Sequence, residues 1–140
     1  MAQHGLRAVG VDLSLDSLRA SQAAQTTAGV PKAHWVCADL ECFALPDHTF
    51  DVVACFYYRD PGFYSAIRAA LRPGGLLLYE TFTRHQLQFE AGPRNPAHLL
   101  EPGELLGSFG DWDVVLYEER STQRAVASLV ARKPPCSNCD

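Results

Sequence analysis

The sequence predicts an α/β fold: a mostly parallel sheet that ends in an antiparallel hairpin. Three observations predict it. Short apolar runs alternate with helix-compatible segments from Ala8 to Phe82. The run "FDVVACFYY", residues 50–58, is apolar almost throughout, the signature of a strand buried on both faces of a parallel sheet. Two strand-like segments, 112–118 and 124–131, are joined by a polar turn.

Each element has a local reason. Residues 8–11 are short, apolar and β-leaning, and Asp12 ends them. Ser14 is suited to cap a following helix whose apolar face is Leu15, Leu18, Ala20 and Ala24, and Thr27, Gly29 and Pro31 stop it. "AHWVCA", residues 33–38, reads as a second buried strand, with Asp39 and Leu40 just past its end and a loop over 41–48. Residues 50–58 are the third strand. Pro61 opens a helix through Leu71, and Pro73-Gly74-Gly75 stops it before a fourth strand over 76–82. Residues 83–102 have little periodicity and read as a lid or substrate loop; 101–109 read as a helix.

The chain has 140 residues, 47% hydrophobic and 20% charged, with net charge −4 and a pI of about 5.7. That suits one globular domain, expected over residues 1–132 with a disordered tail over 133–140. The absence of a basic stripe argues against a nucleic-acid partner. No apolar run approaches the roughly 18 residues of a membrane span, and no basic-then-apolar leader opens the chain. The expected location is therefore cytoplasmic, with Cys37 and Cys55 as reduced, buried thiols. Cys136 and Cys139 form a C-x-x-C, but one pair without a second falls short of a zinc site. The histidines show no metal-ligand spacing, so no metal is expected.

The most informative stretch is "RAVGVDL", residues 7–13: a strand ending in an acid and followed at once by a helix start. In open α/β nucleotide-binding folds an acid in that position takes the ribose hydroxyls. The order of motifs resembles a class I S-adenosylmethionine-dependent methyltransferase from about residue 5 to residue 131. "GVDLS" resembles the acidic second-strand motif and "CADLE" the third-strand motif. "FDVVACFYY" resembles the fourth strand and the segment after it, and "LRPGGLLLYETF" the helix–turn–strand piece that follows. "YETF" with "PRNPAHLLEPGEL" is similar, more narrowly, to small-molecule methyltransferases of the tellurite-resistance type. The resemblance implies a Rossmann-like sheet, and it departs at the start. The family's first strand and glycine-rich loop are missing, and "MAQHGL" resembles the tail of the helix that follows that loop. The chain is thus expected to lack the first βα unit. Strands 8–11 and 51–56 must then pair with each other or leave backbone groups unpaired, and two copies of the chain pairing would replace the lost strand.

By the same resemblance S-adenosyl-L-methionine is the cofactor and a small molecule the acceptor. Asp12 takes the ribose hydroxyls and Leu13 packs on the adenine. Asp39 accepts from the adenine amine, and the Leu40 N–H reaches a ring nitrogen. Phe56, Tyr57 and Tyr58 lie beside the sulfonium, where aromatic faces attract a cation. Phe56 is assigned to the cofactor, Tyr57 and Glu80 to catalysis, and Tyr58, Arg59, Arg84, Arg94 and Asn95 to the substrate. Thr81 is expected to point with Glu80 into the same crevice, and His85 is a lesser candidate base. Each has a plainer reading: Asp12 as a helix-start acid, Asp39 as a turn acid, the aromatics as core, the charges as surface pairs. Two rival functions stand beside methyl transfer. One is a non-catalytic or partner-binding module with a vestigial cofactor crevice. The other is a nicotinamide-dependent half-domain, because Asp12 alone does not separate the cofactors.

Overall fold

The computed structural model describes residues 6–29 and 32–135. The chain divides into two units, residues 1–44 and 45–140, each with its own sheet.

The first unit holds β1 (Val9–Asp12), α1 (Leu15–Ala28) and β2 (His34–Cys37). β1 and β2 pair in parallel, Val9 opposite His34 and Asp12 opposite Cys37. Ser14 caps α1 as expected, its hydroxyl accepting from the Ser17 N–H at 3.2 Å, and Gly29 closes the helix. Such a cap contributes about 1 kcal/mol. Gly10 faces Trp35 across the sheet; a Cβ there would stand 2.2 Å from the indole, so only glycine fits. The indole N–H is fixed on Gln25 Oε1 at 3.1 Å. Leu18 is the one buried residue of α1, and Leu15, expected on the apolar face, is half exposed.

The second unit holds β3 (Phe50–Phe56), α2 (Pro61–Ala70), β4 (Leu71–Phe82), α3 (Glu104–Phe109), β5 (Asp113–Ser121) and β6 (Ala125–Arg132). The spatial order is β3-β4-β6-β5. β3 is parallel to β4, and β6 is antiparallel to both β4 and β5. Three strands therefore run one way and only β6 runs against them, which is the mostly parallel sheet with a closing hairpin that the sequence predicts.

The core lies on one face of this sheet. Leu77 and Tyr79 of β4 and Ala127, Leu129 and Ala131 of β6 alternate inward. They meet Tyr64 and Ile67 of α2 and Leu105 and Phe109 of α3 in a buried layer. Its rings form a chain, Tyr64–Tyr79 at 5.9 Å, Tyr64–Phe109 at 5.6 Å and Phe109–Trp112 at 5.4 Å. Asp60 caps α2 by accepting from the Gly62 N–H at 2.9 Å, and Pro61 occupies the first turn.

Five expectations need correction. β1 and β3 do not pair with each other: β1 has β2 and β3 has β4 as strand neighbours. Their residues are mostly exposed or half-buried. For the same reason β3 is not buried on both faces; only Cys55 is, while Phe56 is 55% and Tyr57 50% exposed. Cys37 lies exposed at the end of a two-stranded sheet, whereas Cys55 is buried and its thiol is pushed up to about 11 by burial. Pro73-Gly74-Gly75 does not separate α2 from a new strand. Pairing begins at Leu71, and the turn is a bulge between Leu71 and Leu76, where a Cβ on Gly75 would meet Arg72 O at 2.8 Å.

The fifth concerns residues 83–102, which are not a free loop. They contain two 3-10 turns, Arg84–Gln88 and Pro96–His98, and the buried Leu99 and Leu100. The Leu100 N–H donates to Phe82 O at 2.8 Å. Buried Gln86 donates to Ala91 O and accepts from the Ala125 N–H, both at 2.7 Å. Just past β6, Lys133 donates from Nζ to Leu71 O at 2.8 Å and from its N–H to Gly75 O at 2.8 Å. Cys136 and Cys139 lie outside the described residues.

Truncating the core should show where stability resides. Ile67→Ala, at a fully buried position, is expected to destabilise by about 2–4 kcal/mol, and Leu116→Ala, half exposed on β5, by less than about 1 kcal/mol. Urea unfolding followed by Trp112 fluorescence checks the pair, and equal effects would refute this placement of the core.

Candidate active site

The expected nucleoside contacts lie in the first unit. Parallel pairing brings the ends of β1 and β2 together, with the Ala38 N–H donating to Asp12 O at 3.1 Å. Asp12 and Asp39 thus stand at the carboxyl ends of neighbouring strands, where ligands of open α/β sheets bind. Both are exposed. Asp12 Oδ1 accepts from the Ser14 N–H at 2.7 Å and Asp39 Oδ1 from the Glu41 N–H at 3.0 Å. These turns fix each carboxylate by one oxygen and leave the other to face outward. Among the described residues neither makes an ion pair. Leu13 is 69% exposed and Leu40 half-buried. An exposed leucine next to Asp12, with two carboxylates that make no ion pair among the described residues, fits a ligand with an apolar plane and hydrogen-bond donors.

The second unit carries the expected acceptor groups, and it brings Tyr57 and Glu80 together. Tyr57 follows β3 with φ 56°, a left-handed backbone unusual for a bulky residue. Its N–H donates to Glu80 O at 2.8 Å and its hydroxyl to Glu80 Oε1 at 3.3 Å. Its ring leans on Phe82, centroids 5.3 Å apart. The Glu80 side chain is 17% exposed. Ser128 donates to its Oε2 at 2.7 Å, Arg120 approaches that oxygen at 3.3 Å, and Arg124 approaches Oε1 at 3.7 Å. Sequence reasoning missed these three. The available signals were a lone serine in the apolar run 125–131, opposite Glu80 in the sheet, and two arginines flanking the turn "STQ". Thr81, expected to share the crevice, is buried on the opposite face, because neighbours on a strand alternate.

The other expected substrate residues each have partners inside the chain. Arg59 forms a two-pronged ion pair with Glu104, 2.9 Å on each side, and donates to Ala97 O. Both side chains are largely buried, at 17% and 13% exposure. The Tyr64 hydroxyl donates to Glu104 Oε1 at 2.6 Å, and the Glu101 N–H to Oε2 at 2.9 Å. Burial pushes the Glu104 carboxyl up, but its hydrogen bonds from Arg59, Tyr64 and Glu101 outweigh that and hold it below its ordinary value. Tyr64 is raised, by burial first and by its bond to Glu104 second. Tyr58 rests edge-on against Phe63 at 5.8 Å. Arg84 pairs with Glu101, Arg94 donates to Leu87 O and Phe89 O, and Asn95 caps a 3-10 turn. His85 is exposed beside them. Among the described residues there is no cluster of three His, Cys, Asp or Glu placed to hold a metal.

Residues 1–75 match the model of the methyltransferase domain family, slightly more than half of the chain. This chain belongs to that family. Its fold is similar to solved structures of low identity. A SAM-dependent methyltransferase from Methanosarcina mazei superposes with TM-score 0.68 at 19% identity, covering 96% of this chain and 85% of that one. TehB from Haemophilus influenzae gives TM-score 0.74 at 14% identity, covering 94% and 51%. A methyltransferase from Mesorhizobium loti gives 0.64 at 17%, covering 91% and 80%. Among curated proteins nothing matches the chain. The family makes S-adenosylmethionine the expected cofactor, and the acidic strand ends with exposed Leu13 fit its nucleoside.

The Arg59–Glu104 tie yields a pH prediction. A carboxyl held below its ordinary value contributes stability that is complete above that value and is lost as pH falls through the lowered one. Glu104→Gln should therefore destabilise by about 2–4 kcal/mol at neutral pH, and the gap should narrow as pH falls through the lowered value. Urea unfolding of both proteins across pH 3–7 is the check, and a gap independent of pH would refute it.

Proposed function

We propose that this methyltransferase-family chain moves the methyl group of S-adenosylmethionine to a small-molecule acceptor. One observation carries the reading: two exposed carboxylates without ion-pair partners among the described residues, side by side at the carboxyl ends of parallel strands.

In this reading Asp12 accepts the ribose hydroxyls with the oxygen that Ser14 leaves free. Leu13 lies against the adenine, Asp39 accepts from its exocyclic amine, and the Leu40 N–H donates to a ring nitrogen. An activated methyl group is what the cofactor supplies when bound. Tyr57 orients the acceptor, and Glu80 Oε1, already joined to the Tyr57 hydroxyl, receives the acceptor's proton where it has one to lose. Methyl transfer is an in-line displacement, and positioning with exclusion of water supplies most of its acceleration. The free thiols Cys37, Cys42 and Cys55 suit a reducing cytoplasm.

Calorimetric titration of the whole chain with S-adenosylhomocysteine tests this. Micromolar binding is expected, weakened at least about tenfold by Asp12→Ala, since a doubly accepting carboxylate is removed. Unchanged affinity in that variant would remove Asp12 from the site. No heat from a folded chain would favour the non-catalytic module, and heat with a nicotinamide dinucleotide instead would favour the oxidoreductase.

A further inference from the structure

A cavity of about 330 Å³ opens beside the turn between β5 and β6, lined by Arg120, Thr122, Gln123, Arg124 and Val126. It adjoins Tyr57 and Glu80 through the two arginines. Arg120 reaches Glu80 Oε2 at 3.3 Å with Nη2 and Glu118 Oε1 at 3.1 Å with Nε. Arg124 donates from Nη1 to the Tyr57 hydroxyl at 2.8 Å, brings Nη2 to 3.7 Å from Glu80 Oε1, and sets its guanidinium 5.7 Å from the Tyr57 ring centre.

We infer that this cavity recognises an oxyanion, a carboxylate or phosphate, on the methyl acceptor. The inference rests on the methyl-transfer reading and names the acceptor's chemistry. Three observations support it. First, two guanidinium groups share one largely buried carboxylate, so Tyr57, Glu80, Arg120 and Arg124 together carry one more cation than anion. Glu118 Oε1 lies 3.1 Å from Arg120 Nε, which leaves Arg124 with the looser carboxylate contact, 3.7 Å from Glu80 Oε1. Second, Arg120 Nη1 and Arg124 Nε have no partner among the described residues, and guanidinium donors in a fixed fork match an oxyanion. Both forks are held before any ligand arrives, because Glu80 is itself fixed by Ser128. Third, the cavity is not uniformly polar. Arg124 adjoins the half-exposed Tyr57 ring, which gives apolar surface for the rest of a small acceptor.

The test is a heteronuclear magnetic-resonance titration of the whole labelled chain. The probes are sodium benzoate, inorganic phosphate and, as the neutral counterpart of benzoate, benzamide. Saturable shifts of the residue 122–126 amides in the millimolar range are expected with benzoate, phosphate or both, which tells a carboxylate from a phosphate site. Benzamide should give none. Arg120→Gln and Arg124→Gln should each weaken binding about tenfold, the loss of one charge-assisted contact, while Arg72→Gln, whose surface pair is with Asp51, should not. Unsaturable shifts, equal response to benzamide, or full affinity in both cavity variants would overturn the inference and leave the arginines as a clasp on the hairpin. The same samples are titrated with S-adenosylhomocysteine. Cofactor binding without oxyanion binding overturns this inference alone. Oxyanion binding without cofactor binding overturns the methyl-transfer reading and, with it, the assignment of the oxyanion to a methyl acceptor.

Discussion

A carboxylate taken out of water must have its oxygens satisfied, and Glu104 is where the second unit meets that demand. Both prongs of Arg59, the Tyr64 hydroxyl and the Glu101 N–H converge on it. Those groups come from the segment after β3, from α2 and from the approach to α3, and Arg59 adds Ala97 O from a 3-10 turn. One buried anion therefore fixes four separate pieces of chain. Loss of either partner strands a charge in a place water barely reaches, which is why such pairs are costly to break even when their net worth is small.

Arg59 lies two residues beyond Tyr57, so the anchor has a consequence for the candidate site. The chain leaves β3 through a left-handed residue and is caught at once by the ion pair. Strain at Tyr57 persists because both sides are held, by β4 through Glu80 and by α3 through Glu104. The aromatic side chain is thereby set before any ligand binds, and a preset group loses less conformational freedom on binding than a mobile one. Family membership supports methyl transfer as the kind of reaction. Fold alone would not, since one structural neighbour, SpnF, is described as a cyclase.

Much of this was legible in the residues. Ser14, Pro61 and the strand-like segments 112–118 and 124–131 each carry a local physical signal, and each element formed where that signal lay. Asp12 and Asp39 were legible because a strand end followed by a turn acid is a local pattern. What stayed hidden was pairing over long distance. Nothing near Arg59 in sequence marks Glu104 as its partner, and nothing near Glu80 marks Ser128 or Arg124. The burial of 50–58 was overread for a related reason. A continuous apolar run implies cover on both faces only when a strand lies on each side, and β3 has one neighbour. Residues 83–102 lacked periodicity because their order comes from single anchors such as Gln86, not from a repeating face.

The position of β6 bears on how the molecule is made. β6 follows every other described strand in the chain, yet it sits between β4 and β5 in the sheet. Just beyond it, Lys133 closes the carbonyl end of α2, some sixty residues earlier in the chain. During synthesis β4 and β5 must wait with open edges until residue 132 has left the ribosome, and only then do the sheet and the helix end close together. Such late, non-local closure slows folding and leaves unpaired strand edges in the nascent chain. This is a protein for which the interval between translation and closure is the time of greatest exposure to misassembly.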